Sequence, residues 1–286
     1  MSDSGVARAS TVLVEGLRFP EGPRWHEGRL WFSDQHDGVV RAVTAGGALE
    51  DVLPVAEGPS GLGWDPQGRM LVVSMRDRRL LRVDGDRVEE LADLSGRCPF
   101  HCNDMVVDSV GRAYVGNFGF DLDGRATPCA TVLVLVHPDG TVEIAADDMR
   151  FPNGTVITPD GGTLVIGESM AGCLTAFTVG EDGRLSDRRL WAQLDGAVPD
   201  GICLDAEGAI WSACPLTGRV LRVREGGEVL DVVEVDRRGA YACMLGGPDR
   251  TTLFVCTADH SDPARTGERR GAIEVCPVDV PGAGLP

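Results

Sequence analysis

A six-bladed, all-β propeller is the fold class this sequence predicts, and three observations predict it. Six stretches along the 286 residues repeat one pattern, a small-residue turn followed by a short apolar run: 19–34, 59–75, 102–118, 151–169, 199–214 and 241–259. Runs of Val, Leu, Ile and Trp alternate with Gly, Pro, Asp and Asn clusters, and helical periodicity is nearly absent. Each unit has room for four short antiparallel strands. Six such units of roughly 48 residues close into a ring, because no single unit can bury its own faces.

Taken in order, residues 1–10 read as a flexible N-terminus, and TVLVE (11–15) as a strand with no partner in the first unit. Strands of the first unit fall near 21–25, 29–34, 39–43 and 49–54, and those of the second near 60–64, 69–75, 79–84 and 87–92. In the third unit, GFDLDGRATPC (119–129) reads as an inserted loop. Turns such as DPQG (65–68), TPDG (158–161) and DAEG (205–208) place Pro or Asp early and Gly last, as tight turns require. The sixth unit supplies only three strands, near 242–246, 251–257 and 272–278. TVLVE is therefore expected to close the ring as the outer strand of the sixth blade, since an open ring leaves strand edges exposed. One domain over 11–280 and a short tail over 281–286 complete the reading.

Composition narrows the function classes. The net charge of −17, from 27 basic and 44 acidic residues, disfavours nucleic acid and anionic membranes as partners. It suits a solvated acidic surface. The opening MSDSGVARAS has no apolar core of a secretory signal, and no run is long enough for a membrane helix. Nine cysteines, several inside strand-like runs, read as buried free thiols in a reducing cytoplasm. Cys98 and Cys102 flank His101, but this spacing without a second ligand pair is not a zinc signature.

Aligned on the turn, one column of the repeat carries chemistry: Glu21, Ser60, Asn103, Asn153, Asp200 and Cys243. In a propeller the starts of the innermost strands converge on one mouth, so these positions face each other. Any one of them fits ordinary turn chemistry, because Asn-Gly and Asp-Gly are common turn dipeptides. Four oxygen-bearing side chains in one register point instead to a shared site. Glu21 and Asp200 bring two negative charges, Asn103 and Asn153 two neutral carbonyls, a set suited to one divalent cation. Oxygen donors favour Ca²⁺, with Mg²⁺, Mn²⁺ and Zn²⁺ compatible. His101, Phe118 and Cys243 are the candidate substrate-contacting residues, with Phe100, Phe120 and Met244 placed to line the same mouth; His26 and His36 follow turn or strand-end positions and read as surface groups.

The stretches FPEGPRW, HCNDMVVDSVGRAYVGN, FPNGTVITPDGGTLVIGES, PDGICLDAEGAIW and CMLGGPDRTTLFVCTA resemble the SMP-30/gluconolactonase/luciferin-regenerating family, in family order over roughly residues 11–280. The resemblance implies a six-bladed propeller with one catalytic divalent metal, held by Glu21, Asn153 and Asp200, with Asn103 at metal and substrate. The expected activity is hydrolysis of a small-molecule lactone, with Asp200 as general base or water-orienting group and Asn103 as hydrogen-bond donor to the oxyanion as it forms. Many sugar-lactone hydrolases of the family carry Arg two residues before the N-D Asn; His101 stands there in this chain. A histidine offers fewer fixed donors than an arginine, so a less polar lactone or ester is expected. A metal-dependent phosphotriesterase, a non-hydrolytic cyclase or isomerase, and a non-enzymatic calcium-binding propeller are the alternatives. No G-x-S-x-G elbow supports a serine hydrolase.

Overall fold

Short apolar runs bounded by Gly, Asp and Pro turns become strands along the whole chain, and the computed structural model, which describes residues 8–236 and 238–284, arranges them in six antiparallel sheets. The innermost strands are Pro20–His26, Pro59–Trp64, Cys102–Val107, Pro152–Ile157, Ile202–Leu204 and Gly239–Gly246. Each packs beside the next, and the last packs beside the first, so the sheets form a closed ring of six blades. Among the described residues the only helical element is one 3₁₀ turn, Thr266–Glu268.

The hairpins follow from their turn residues. The Asp65 carboxylate accepts hydrogen bonds from the backbone N–H groups of Gln67 and Arg69 and pairs with the Arg69 side chain. Asp108 does the same with Val110 and Arg112, and Asp205 with Glu207, Ala209 and the Arg222 side chain. One repeated aspartate thus ties the backbone of three first hairpins, which is the mechanism behind the D-x-x-G signature.

The core lies in slabs between neighbouring blades. Trp31, Val40, Leu62 and Val72 fill the space between blades one and two; Leu71, Leu80, Met105 and Val115 fill that between two and three. Trp25 stacks on Phe254 at 5.4 Å, which joins the first and last blades. Trp25, Trp31 and Trp211 are buried, and Trp64 is partly buried under His26, whose ring stacks on it at 4.0 Å.

Closure uses the N-terminal segment, as expected. Thr11–Leu17 pairs antiparallel with Gly271–Pro277 as the outer strand of blade six. The segment before it departs from the expected flexible N-terminus: Arg8–Ala9 pairs in parallel with Val229–Glu234 of blade five, and the Arg8 guanidinium bonds to Asp231 at 2.9 Å. A charged side chain with a carboxylate across the strand fixes this end; residues 1–7 lie outside the described residues. The tail is also anchored. Ala206 N–H donates to Pro281, Gly282 N–H to Arg250, and Ala283 N–H to Leu204, which ties blades five and six together.

Candidate metal and substrate site

The mouth ends of the inner strands converge on the propeller axis. In several blades they approach so closely there that the residue after the column position must be glycine. A Cβ on Gly154 would lie 2.4 Å from the Ile202 nitrogen and 2.6 Å from the Asp200 oxygen. A Cβ on Gly22, whose φ of 54° is left-handed, would lie 2.9 Å from the Ser60 oxygen. The Glu-Gly, Asn-Gly and Asp-Gly pairs are therefore not hairpin turns. Their glycines permit close packing at the axis, and the preceding side chains turn into the mouth.

Glu21, Asn103, Asn153 and Asp200 line one cavity of about 350 Å³ on this end of the ring. Its walls include Phe118, Phe151, Tyr241, Leu122, Met170 and Leu216. Ser60, of the same column, is turned away from this duty: its hydroxyl accepts a hydrogen bond from Gln35 Nε2 at 3.1 Å. A second hollow of about 320 Å³ adjoins the first, sharing Phe19, Gln35, Phe118, Leu122 and Ser261, and adds His36, Arg76, His101 and Arg125.

Electrostatics make the floor of this cavity unusual. Burial pushes the Glu21 carboxyl well above the usual carboxylate range, and the nearby Asp200 charge pushes it further. Asp200 also rises, first because its half-buried carboxyl is shielded from water; a hydrogen bond with Asn153 opposes this, and Asp104 adds to it. Two carboxylates so placed resist being ionised together without added positive charge. Asn103 Nδ2 is buried with no hydrogen-bond partner, and Asn153 Nδ2 donates to Ser169 Oγ at 3.2 Å. Among the described residues no three His, Cys, Asp or Glu side chains are grouped to hold a metal; this floor has two carboxylates, and its other donors are amides. An uncompensated carboxylate pair beside two amide oxygens fits a divalent cation of the oxygen-seeking kind, while the unpartnered Asn103 Nδ2 is a donor left for another acceptor.

Beneath the floor a buried ion pair lies across the channel. Arg24 reaches from blade one to Asp104 of blade three at 2.8 Å, and it also donates to the Pro23 and Met105 carbonyl oxygens. Burial raises Asp104, and the Arg24 charge opposes that rise. Apolar side chains including Val106, Ile157 and Leu204, with Ala283 of the tail, close the far end around a void of about 30 Å³.

His101 lies between Phe100, stacked at 3.9 Å, and Phe118 at 5.9 Å. Its half-burial among these rings lowers its proton affinity, so it is neutral at pH 7. Phe118 stacks on Phe151 at 4.8 Å. Phe151 holds a left-handed φ of 59°, uncommon for an aromatic residue, while its carbonyl accepts from the Ser169 N–H.

One expected site residue is elsewhere. Cys243 is 1% exposed, inside the core of blades five and six, with its sulfur 3.8 Å from that of Cys203. The sixth inner strand begins at Gly239, ahead of the expected 242, and its bonds to blade five place the column two residues before Cys243. Tyr241 holds the column position: its carbonyl accepts from the Gly201 N–H as that of Asp200 accepts from the Gly154 N–H. Met244 likewise faces the far end of the channel rather than the mouth. His36, which sequence pattern places on the surface, lines the mouth and stacks on Phe19 at 4.8 Å. The bend after Ala258, with Ser261, also reaches the cavity; it has no repeat signature to announce it.

Comparison with known proteins agrees with this architecture. The SMP-30/gluconolactonase/LRE-like region matches residues 19–259. Pentonolactonase XacC of Haloferax volcanii is 28% identical over 262 residues, covering 90% of this chain and 87% of that protein. The 6-deoxy-6-sulfogluconolactonase of Pseudomonas putida is 29% identical over 266 residues, covering 91% and 87%. The calcium-binding regucalcin of Agrobacterium tumefaciens superposes with a TM-score of 0.82 at 22% identity, over 98% of this chain and 99% of that one. With the family region spanning most of the chain and the ring of six blades in place, this protein belongs to the SMP-30/gluconolactonase/LRE-like family.

Proposed function

We propose that this chain is a cation-dependent hydrolase that opens a lactone to its hydroxy acid. The observation that carries the reading is the open cavity whose floor gathers Glu21, Asn103, Asn153 and Asp200 from four blades. Relatives named as lactonases support the reaction class. When bound, a divalent cation supplies Lewis acidity to the ester carbonyl, and Ca²⁺ suits the all-oxygen set, with Mg²⁺, Mn²⁺ and Zn²⁺ compatible.

The protein's own groups account for the remaining chemistry. Glu21 and Asn153 hold the floor, with Asn153 fixed by Ser169. Asp200 orients water and accepts its proton as the water oxygen bonds to the carbonyl carbon. Asn103 Nδ2, buried and unpartnered, donates to the carbonyl oxygen as it gains charge. Collapse of the adduct breaks the ring C–O bond, and the alkoxide leaving group takes up the proton that Asp200 accepted. His101, neutral and held between two phenylalanines, contacts the substrate from the adjoining hollow. The nine cysteines, all free, support a reducing compartment such as the cytoplasm.

Lactone hydrolysis is expected to vanish on chelation, to return with added cation, and to fall by roughly 10³-fold or more in Asp200→Asn. Full turnover under chelator or in that variant would remove the mechanism. Calcium binding by calorimetry without turnover of any lactone would favour a binding protein instead.

A further inference from the structure

Leu122, Met170 and Leu216 are exposed by 37%, 50% and 81%, yet all three border the cavity above the four oxygen-bearing side chains. They come from three segments: the 119–129 loop, the bend after Thr163–Glu168, and the bend after Ile210–Cys214. A lone exposed leucine is ordinary; three long apolar side chains meeting over one polar floor make a subsite. Phe118 and Phe151, stacked on each other, extend the same wall.

Two polar side chains on this wall are already engaged. Gln35 Nε2 donates to Ser60 Oγ at 3.1 Å, and Ser169 Oγ donates to Pro199 at 2.7 Å. A ring bearing several hydroxyls would bury them here against carbon, at the cost of their bonds to water. An alkyl substituent meets no such loss and removes the three apolar side chains from water.

We propose that the cavity selects a lactone carrying an apolar substituent, and that Leu122, Met170 and Leu216 are the residues that make the selection. This rests on the lactonase reading above. Each methylene taken from water into such a site is worth about fourfold in kcat/KM. A four-carbon chain should then favour γ-octalactone over γ-butyrolactone, which has the same ring without the chain, by about 10²-fold.

The test measures kcat/KM of the cation-supplied, full-length protein on γ-butyrolactone, γ-octalactone and glucono-1,5-lactone. The triple variant Leu122→Ser, Met170→Gln, Leu216→Ser is compared by the ratio of the first two, which cancels any loss common to both. A thermal melt checks that the variant is folded. The expected result is a wild-type ratio near 10² that drops below about 10 in the variant, with the gluconolactone the poorest substrate. Wild-type hydrolysis with no gain from the chain, a ratio unchanged by the triple substitution, or a preference for the gluconolactone overturns the proposal while sparing the lactonase. Failure to open any of the three lactones overturns both.

Discussion

Arg24 shows how much a single buried side chain contributes beneath the axis. Its guanidinium faces Asp104, and both groups are nearly without solvent. Removing one member of a buried ion pair strands the other charge, which costs about 3–5 kcal/mol, whereas replacing both with apolar groups is often tolerated. Arg24→Met should lose stability by that amount, and Arg24→Met with Asp104→Leu should regain most of it; urea unfolding of the two variants checks this. His36 carries a second residue-scale prediction. Burial, with Arg76 and Arg18 adding to it, pushes its pKa from 6.5 to about 4. The unfolded imidazole gains its proton as pH falls through 6.5, while the folded one stays neutral down to about pH 4. The fold therefore loses stability across that window, approaching about 3 kcal/mol at its lower end. In His36→Gln this contribution to the slope of stability between pH 7 and 4 should disappear, read from urea midpoints. The sequence placed Glu21, Asn103, Asn153 and Asp200 together because they share a repeat register. It misplaced Cys243 and His36 because one strand start and one stacking partner are not written in the repeat.

At the scale of the element, the inner strands hold the site through close approach of backbone to backbone. Gly154 lies against Ile202 and the Asp200 carbonyl, so Gly154→Ala must separate the inner strands of blades four and five. The expected cost is about 1–3 kcal/mol. Calcium affinity should weaken as well, because Asn153 and Asp200 flank the intruding methyl. A melting curve and a calcium titration test the two effects; a variant that keeps both wild-type values would show that the strands have room to spare. Loops differ from strands in legibility. The 119–129 insertion was visible as a break in repeat length, but its reach to the cavity through Leu122 was not, since loop direction has no periodic code. The 259–270 segment contributes Ser261 to the same cavity and left no mark in the pattern.

For the whole molecule, closure of the ring is the main structural problem, and the N-terminal segment solves it. Thr11–Leu17 completes blade six, and Arg8–Ala9 adds an edge to blade five, so one stretch binds two blades. Deleting residues 1–16 bares the edge strand Gly271–Pro277 and strips that tie. Calorimetry should show a fall in Tm of more than about 10 °C, with aggregation on heating; an unchanged melt would mean that the ring stays closed without this strand. Closure also explains why four residues spread from 21 to 200 can share one cavity: the axis is the place where every repeat begins.

The sequence by itself determined the propeller, its closing strand and the four oxygen-bearing residues at the axis. Strand period, turn chemistry and repeat register are local, and each is written anew in every blade. Only the tertiary structure decided that Tyr241 rather than Cys243 faces the mouth and that Arg24 meets Asp104 below the floor. It also decided that Leu122, Met170 and Leu216 gather above the site. Those contacts join segments that share no repeat, and only packing around the ring selects which of them meet.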